Sequence, residues 1–220
     1  MGYRLLLLVF AICLLTFASC SVSKNPISAI EDAERDERLV GVWIADEDDG
    51  KVSNKAHGDA YLHIGAEPDS PISLTRKEPE PALMRFVLVG HEQKLGRKVV
   101  EPFAGRFFVS KVGEQYFVNM LFDYGPKDMQ DAKPGYRFMT YSVDDDRLEF
   151  WFAADELFVK AVKDGTLAGK IVKIGGRFKI EAAELTATSE ELTAFLKTDA
   201  GKKAFARDGD DGKLTFRRLR

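Results

Sequence analysis

Hydrophobic positions along this chain follow two rhythms. From Leu5 to Ala18 they run together for 14 residues, interrupted only by Thr16. From about residue 39 onward they alternate, in short stretches of period two bounded by Gly, Pro, Asp and Asn, the pattern of half-buried strands separated by turns. Strands are predicted at 39–45, 60–65, 72–76, 82–91, 97–112, 116–122, 136–143, 147–152, 170–174, 177–187 and 214–218. Asp49-Gly50, Asp164-Gly165, Gly175-Gly176 and Asp211-Gly212 supply turn chemistry, and Asp144-Asp145-Asp146 reads as a hairpin tip.

Three stretches carry a helical period instead. A short helix is predicted over 28–38, where Ser28 and Glu31 have capping-box spacing. A second, over 154–163, gathers Leu157, Phe158, Ala161 and Val162 on one side. The third follows Thr188, paired with Glu191 in another capping box, and puts Leu192, Phe195 and Leu196 on one face before running out near Gly201. These read as lids or buttresses. Strands do not alternate with long helices, so a parallel sheet is disfavoured. The fold expected is mainly β, an antiparallel β-barrel or sandwich with two or three short helices.

The opening apolar run is too short to cross a membrane, which takes ~20 residues, and has the size of an export-signal core, with Met1 and Arg4 supplying positive charge before it. It ends in Phe17-Ala18-Ser19-Cys20. That tetrapeptide resembles the lipobox of bacterial lipoproteins, with Phe17 where leucine is commoner. The resemblance implies cleavage after residue 19 and acylation of Cys20, by palmitate among other chains. Cysteine usage points the same way: Cys13 would be discarded, leaving Cys20 as the single cysteine of the mature chain, with no disulfide to form. The expected organisation is a signal peptide at 1–19, a lipidated polar tether at 20–27 containing Pro26, and one domain at 28–220. The partner implied is a membrane, reached through the N-terminal lipid. Ser21 stands where an aspartate would mark inner-membrane retention in such lipoproteins, so the outer membrane of the cell envelope, facing the periplasm, is the expected location.

Composition describes a folded body: 45% hydrophobic, 11% aromatic and 30% charged. Losing Arg4 with the leader leaves 31 basic against 35 acidic residues, a net charge of −4. That balance, without a basic stripe, argues against nucleic acid.

Aromatic residues are unevenly placed: 13 of the 24 fall between Phe103 and Phe152. In the strand at 116–122 both faces are largely apolar, Tyr116, Val118, Met120 and Phe122 on one, Phe117 and Leu121 on the other. Two readings follow: a packed barrel or sandwich whose outer face is covered by helices, or a barrel enclosing an apolar cavity. Candidate ligand-lining residues are Tyr116, Val118, Met120, Phe122, Phe138, Phe150 and Phe152.

Gly41-Val42-Trp43 follows the first short helix and opens the first strand. This arrangement resembles the Gly-x-Trp signature of lipocalins and the wider calycin group of β-barrels. The resemblance implies that Trp43 closes the narrow end of a barrel, with a basic residue of the last strand, Arg217 or Arg218, lying across its ring.

Catalytic chemistry is poorly represented, and no enzyme is expected. The mature chain has no thiol besides Cys20 and no Gly-x-Ser-x-Gly elbow. His57, His63 and His91 lack metal-ligand spacing, although His63 shares a strand face with Tyr61 that could look into a cavity. The acidic turns at 46–50 and 208–212 place glycine at the wrong position for a calcium loop. No metal and no cofactor are expected. The function expected is binding of a lipid or hydrophobic small molecule by a membrane-tethered, lipocalin-like envelope lipoprotein, the alternative being a structural or protein-interaction module with a filled core and no ligand.

Overall fold

The structure is a computed structural model, which describes residues 21–46, 60–66, 82–94, 97–124, 135–174, 180–205 and 213–219, with side chains for all of these except 91–102, 122–124 and 174. The leader with Cys20, the strand expected at 72–76, the start of the one expected at 177–187, His57, the turns at 49–50, 175–176 and 211–212, and the side chains of His91 and Phe122 lie outside that set.

Eight strands close into an antiparallel barrel. In chain order the strands are β1 (Val22–Ser23), β2 (Gly41–Ala45), β3 (Tyr61–Ala66), β4 (Met84–Lys94), β5 (Arg97–Val112), β6 (Gln115–Tyr124), β7 (Arg137–Val143), β8 (Arg147–Phe152), β9 (Gly169–Ile174), β10 (Ile180–Leu185) and β11 (Lys213–Arg218). The barrel runs β2 to β8 as a meander and is closed by β11, which pairs with both β8 and β2. β5 bends at a bulge between Ala104 and Gly105. Gly105 makes the bend possible, since a Cβ there would stand 2.3 Å from the Leu121 carbonyl oxygen.

Strand alternation sorts side chains into two cores. Inward-facing Trp43, Leu62, Ile64, Phe86, Phe107, Val118, Met139, Tyr141 and Phe150 belong to a cluster inside the barrel. The opposite faces of β6 and β7 contribute Phe117 and Phe138 to a second cluster outside it. Covering that outer wall are α1 (Asp155–Lys163), α2 (Ser189–Leu196), α3 (Asp199–Ala204) and a small sheet ordered β1-β10-β9. Phe158 of α1 meets Phe138, Phe195 and Phe205, with ring centroids 6.5, 5.9 and 6.0 Å away. β6 and β7 are therefore apolar on both faces because both faces are buried.

Helix α2 has the expected cap: the Thr188 hydroxyl accepts from the Glu191 amide, and the Glu191 carboxylate accepts from the Thr188 amide. It stops earlier than expected, at Leu196, and α3 begins after Thr198 caps a second start. Gly201 sits inside α3 because the corner is tight; a Cβ there would fall 2.1 Å from the Phe195 carbonyl oxygen.

The amino-terminal segment departs most from expectation. No continuous helix spans 28–38; two 3₁₀ turns, Ile30–Asp32 and Glu37–Leu39, stand in its place. Ser28 does not cap, because its hydroxyl bonds the Ser110 hydroxyl at 2.6 Å. Nor do residues 21–27 form a free tether. The Ser21 amide donates to Asp155 Oδ1 (2.6 Å), Ser23 exchanges backbone bonds with Tyr136, and the Ile27 amide donates to Asn119 Oδ1 (2.7 Å). Ser23 and Ile27 are fully buried. Polarity suggested a solvated linker, but Ser21 bonds α1 and β10, Ser23 the residue before β7, Asn25 the Ala187 carbonyl after β10, and Ile27 the barrel wall.

Candidate functional site

The two ends of the barrel differ. At the end where β2 starts and β11 stops, Trp43 is fully buried and its indole Nε1–H donates to the Leu39 carbonyl at 2.9 Å. The Arg218 guanidinium lies over the Trp43 ring, 4.1 Å from its centroid. Three of its nitrogens donate to backbone carbonyls, Nη1 to Val40 (2.9 Å), Nη2 to Arg38 (2.5 Å) and Nε to Asp145 (2.9 Å). Arg217 is one residue out of phase and exposed. Gly41 is needed twice over: its φ of +149° disfavours a side chain, and a Cβ would stand 2.7 Å from Arg218 Nη1.

A polar cluster seals the same end. Asp36 accepts from Tyr141 OH at 2.7 Å and from Arg38 Nε and Nη2 at 2.9 and 2.7 Å. Burial acts to raise the Asp36 carboxyl, but the bonds from Arg38 and Tyr141 outweigh it and hold it below its ordinary value. Burial, reinforced by the bond to Asp36, pushes the Tyr141 hydroxyl far above its ordinary value. Tyr116 lies beneath Arg38 and Lys111, 5.8 and 5.4 Å from its ring centroid. This end is a plug of paired charges and aromatic rings.

The other end is apolar and partly open. A cavity there is lined without exception by apolar side chains, with Phe86, Phe107 and Val118 deep and Leu88, Phe103, Phe152 and Leu214 half-buried at its mouth. As the side chains stand, about 50 Å³ is open to a water-sized occupant, within about 510 Å³ of space not filled by atoms, part of it continuous with solvent. Small-molecule sites commonly enclose roughly 300–1,000 Å³. As the side chains stand, the enclosed space falls well below that range.

Of the candidate lining residues, Val118, Met120, Phe150 and Phe152 come together around this cavity. Tyr116 is at the plugged end, and Phe138 points outward into the second core, because β7 presents Met139 and Tyr141 to the interior. Phe122 lies outside the described side chains. His63 is exposed, so it does not look into the cavity; Leu62 and Ile64 take the inward positions of β3. Nine of the 13 lining residues were not among those candidates, including Leu62, Ile64, Phe86, Leu88, Met139 and Leu214. The alternation Met84, Phe86, Leu88 carries the signal for β4, but it holds a single aromatic residue, whereas the aromatics are denser between Phe103 and Phe152.

Among the described residues no three His, Cys, Asp or Glu side chains are grouped so as to hold a metal ion. Compared with known proteins, the chain matches no family model, no curated protein and no solved structure.

Proposed function

We propose that this chain is a lipid-anchored protein of the bacterial envelope, exported by residues 1–19 and acylated on Cys20, whose lipocalin-like barrel binds a lipid or other apolar ligand and performs no catalysis. One observation carries the binding reading: a cavity lined only by apolar side chains at one end of a barrel whose other end is plugged by Trp43 and Arg218. A barrel folded only to be a scaffold has no need of such asymmetry. The lipocalin likeness is supported by the closed eight-stranded meander and by a strand-one tryptophan crossed by a last-strand arginine. The outer membrane, on its periplasmic side, is the proposed location.

Native mass spectrometry of the purified protein, with displacement of a fluorescent fatty acid, tests the binding reading. A co-purifying lipid and saturable displacement are expected; failure to obtain either would leave the barrel without a ligand. The small free volume favours a second reading, a filled interior serving an envelope structural or protein-interaction role, and that reading gains if both assays are blank. For the anchor, Cys20→Ser is expected to abolish labelled palmitate uptake and to release the protein from membranes.

A further inference from the structure

The amino terminus is held at the open end of the barrel. Phe152, at the cavity mouth, is three residues before Asp155, and Asp155 accepts the Ser21 amide. The Ala183 amide donates to the Ser21 hydroxyl at 3.1 Å, and Ser23 bridges to Tyr136, immediately before β7 begins at that same end. From there the chain crosses the outer wall toward the plug: Ile27 bonds Asn119 of β6, Ser28 meets Ser110 of β5, and the backbone carbonyls of Arg38 and Val40 receive Arg218. The direction is fixed by bonds at residues 21–28 and again at 36–40.

A free tether of seven residues would span up to about 25 Å, enough to hold the domain clear of a bilayer. A docked one cannot. Consecutive Cα atoms are about 3.8 Å apart, so residue 20 lies within one step of a residue hydrogen-bonded into the fold. The headgroup layer is only about 5–8 Å deep on each side of the hydrocarbon. A lipid on Cys20 therefore draws the body of the domain, and not a linker, into contact with the membrane surface. β1 runs parallel to β10 with Val22 beside Glu184, so Ser21 is at the end of β1 nearer Ile180, which lies about 10 Å further along β10 from Ala183, the residue that bonds Ser21. Ile180 is a large apolar side chain left 44% exposed; beside it Glu181 is paired with Lys163 of α1, and Lys173 stands opposite Glu181 on β9. An exposed apolar side chain with two lysines to one carboxylate around it suits a headgroup layer.

We infer that the docked amino terminus lays the open end of the barrel on the bilayer that holds the lipid, with Ile180 touching its surface and the apolar cavity opening toward it. The inference rests on acylation of Cys20. It makes the bilayer itself the source from which the cavity is filled, and it makes Ser21 to Ile27 an orienting element.

The experiment uses the full-length acylated protein in vesicles of phosphatidylethanolamine and phosphatidylglycerol carrying a spin-labelled quencher lipid. The Cys20 sulfur is consumed by the thioether, so an added cysteine is the single free thiol. Ile180→Cys and, at the plugged end, Glu114→Cys each receive a thiol-reactive fluorophore. Quenching several-fold stronger at position 180 than at 114 is expected. Eight Gly and Ser residues inserted between Cys20 and Ser21 should remove that difference while leaving vesicle binding intact. Equal quenching at both positions, quenching at neither, or a difference that survives the insertion would overturn the orientation. Intact mass distinguishes the two failures: a chain lacking the diacylglyceryl increment on Cys20 would refute the anchor on which the inference stands.

Discussion

Arg218 covers the face of Trp43 at 4.1 Å while its fork of donors holds the carbonyls of Val40 and Arg38, so one side chain ties the last barrel strand to the turn that leads into the first. A cation over an indole face contributes ~0.5–2 kcal/mol, and removing the fork also leaves backbone acceptors without their donor. Arg218→Ala is expected to lower the urea midpoint by an amount equivalent to roughly 2 kcal/mol, with unchanged denaturant slope. Arg218→Lys keeps the charge but not the planar fork and should fall between. Arg217→Ala, on an exposed position, should stay within about 0.5 kcal/mol of the parent. Equal losses for the two arginines would show that the plug does not depend on the ring contact.

Gly41→Ala tests the same contact from the other side. The added methyl group has to displace Arg218 Nη1 and to accept a φ of +149°. Intrinsic fluorescence should report it, since Trp43 is fully buried and would lose its cover. A Gly41→Ala spectrum and midpoint identical to the parent would mean that the close approach is not required.

Asn119 is the buried link between the barrel and the docked amino-terminal strap, residues 21–28. Its Oδ1 accepts from the Ile27 amide, and its Nδ2 donates to Ser110 Oγ at 2.7 Å, which in turn meets Ser28. Asn119→Ala leaves a buried amide without a partner, a cost of about 1–3 kcal/mol. Hydrogen exchange gives the specific readout. The Ile27 and Ser23 amides should lose protection in the variant while those of β3 keep theirs; uniform loss would indicate a global effect instead.

Inner and outer cores can be separated by mutation. Leu88→Trp adds volume at the mouth of the cavity and should abolish displacement of a fluorescent fatty acid at a stability cost of about 1–3 kcal/mol. Phe138→Ala removes a ring from the outer core and should cost about 3–5 kcal/mol while leaving binding intact below the unfolding transition. If Phe138→Ala abolished binding and Leu88→Trp did not, the site would lie under the helices and not inside the barrel.

What was legible in the sequence follows from which interactions are local. Strand alternation and glycine turns act over a few residues, so a mainly β, antiparallel fold could be read, as could the Thr188–Glu191 cap. Both faces of β6 and β7 are apolar because each has its own core. That doubling erased the parity which would have placed Met139 inside and Phe138 outside. The strap was illegible for a different reason. Ser21, Ser23 and Ser28 look like solvated linker residues, and their partners Asp155, Tyr136 and Ser110 lie more than 80 positions away. Trp43 could be singled out from three residues, but only the register of β11 against β2, Arg218 beside Trp43, decides between two adjacent arginines.

Asp155 gives the strap a pH dependence whose sign can be fixed. Burial is the largest influence and raises its carboxyl from 3.8 to about 6, against the opposing bonds from Ser21; Glu156 adds to the rise and Arg137 subtracts from it. The folded state therefore binds this proton more tightly than the unfolded chain does. The resulting stabilisation is complete below about pH 4 and is lost as pH rises through about 6. Asp155→Asn, uncharged at every pH, isolates the effect by difference. Parent and variant should be closest in stability near pH 4, and the variant should become the more stable of the two above pH 7. At 1.36 kcal/mol per unit, the swing is on the order of 2–3 kcal/mol. Urea titrations of both proteins at pH 4, 5, 6, 7 and 8 would show it. A difference that stayed flat across that range, or that favoured the parent as pH rose, would mean that the Ser21 amide stabilises the ionised carboxylate enough to cancel its burial.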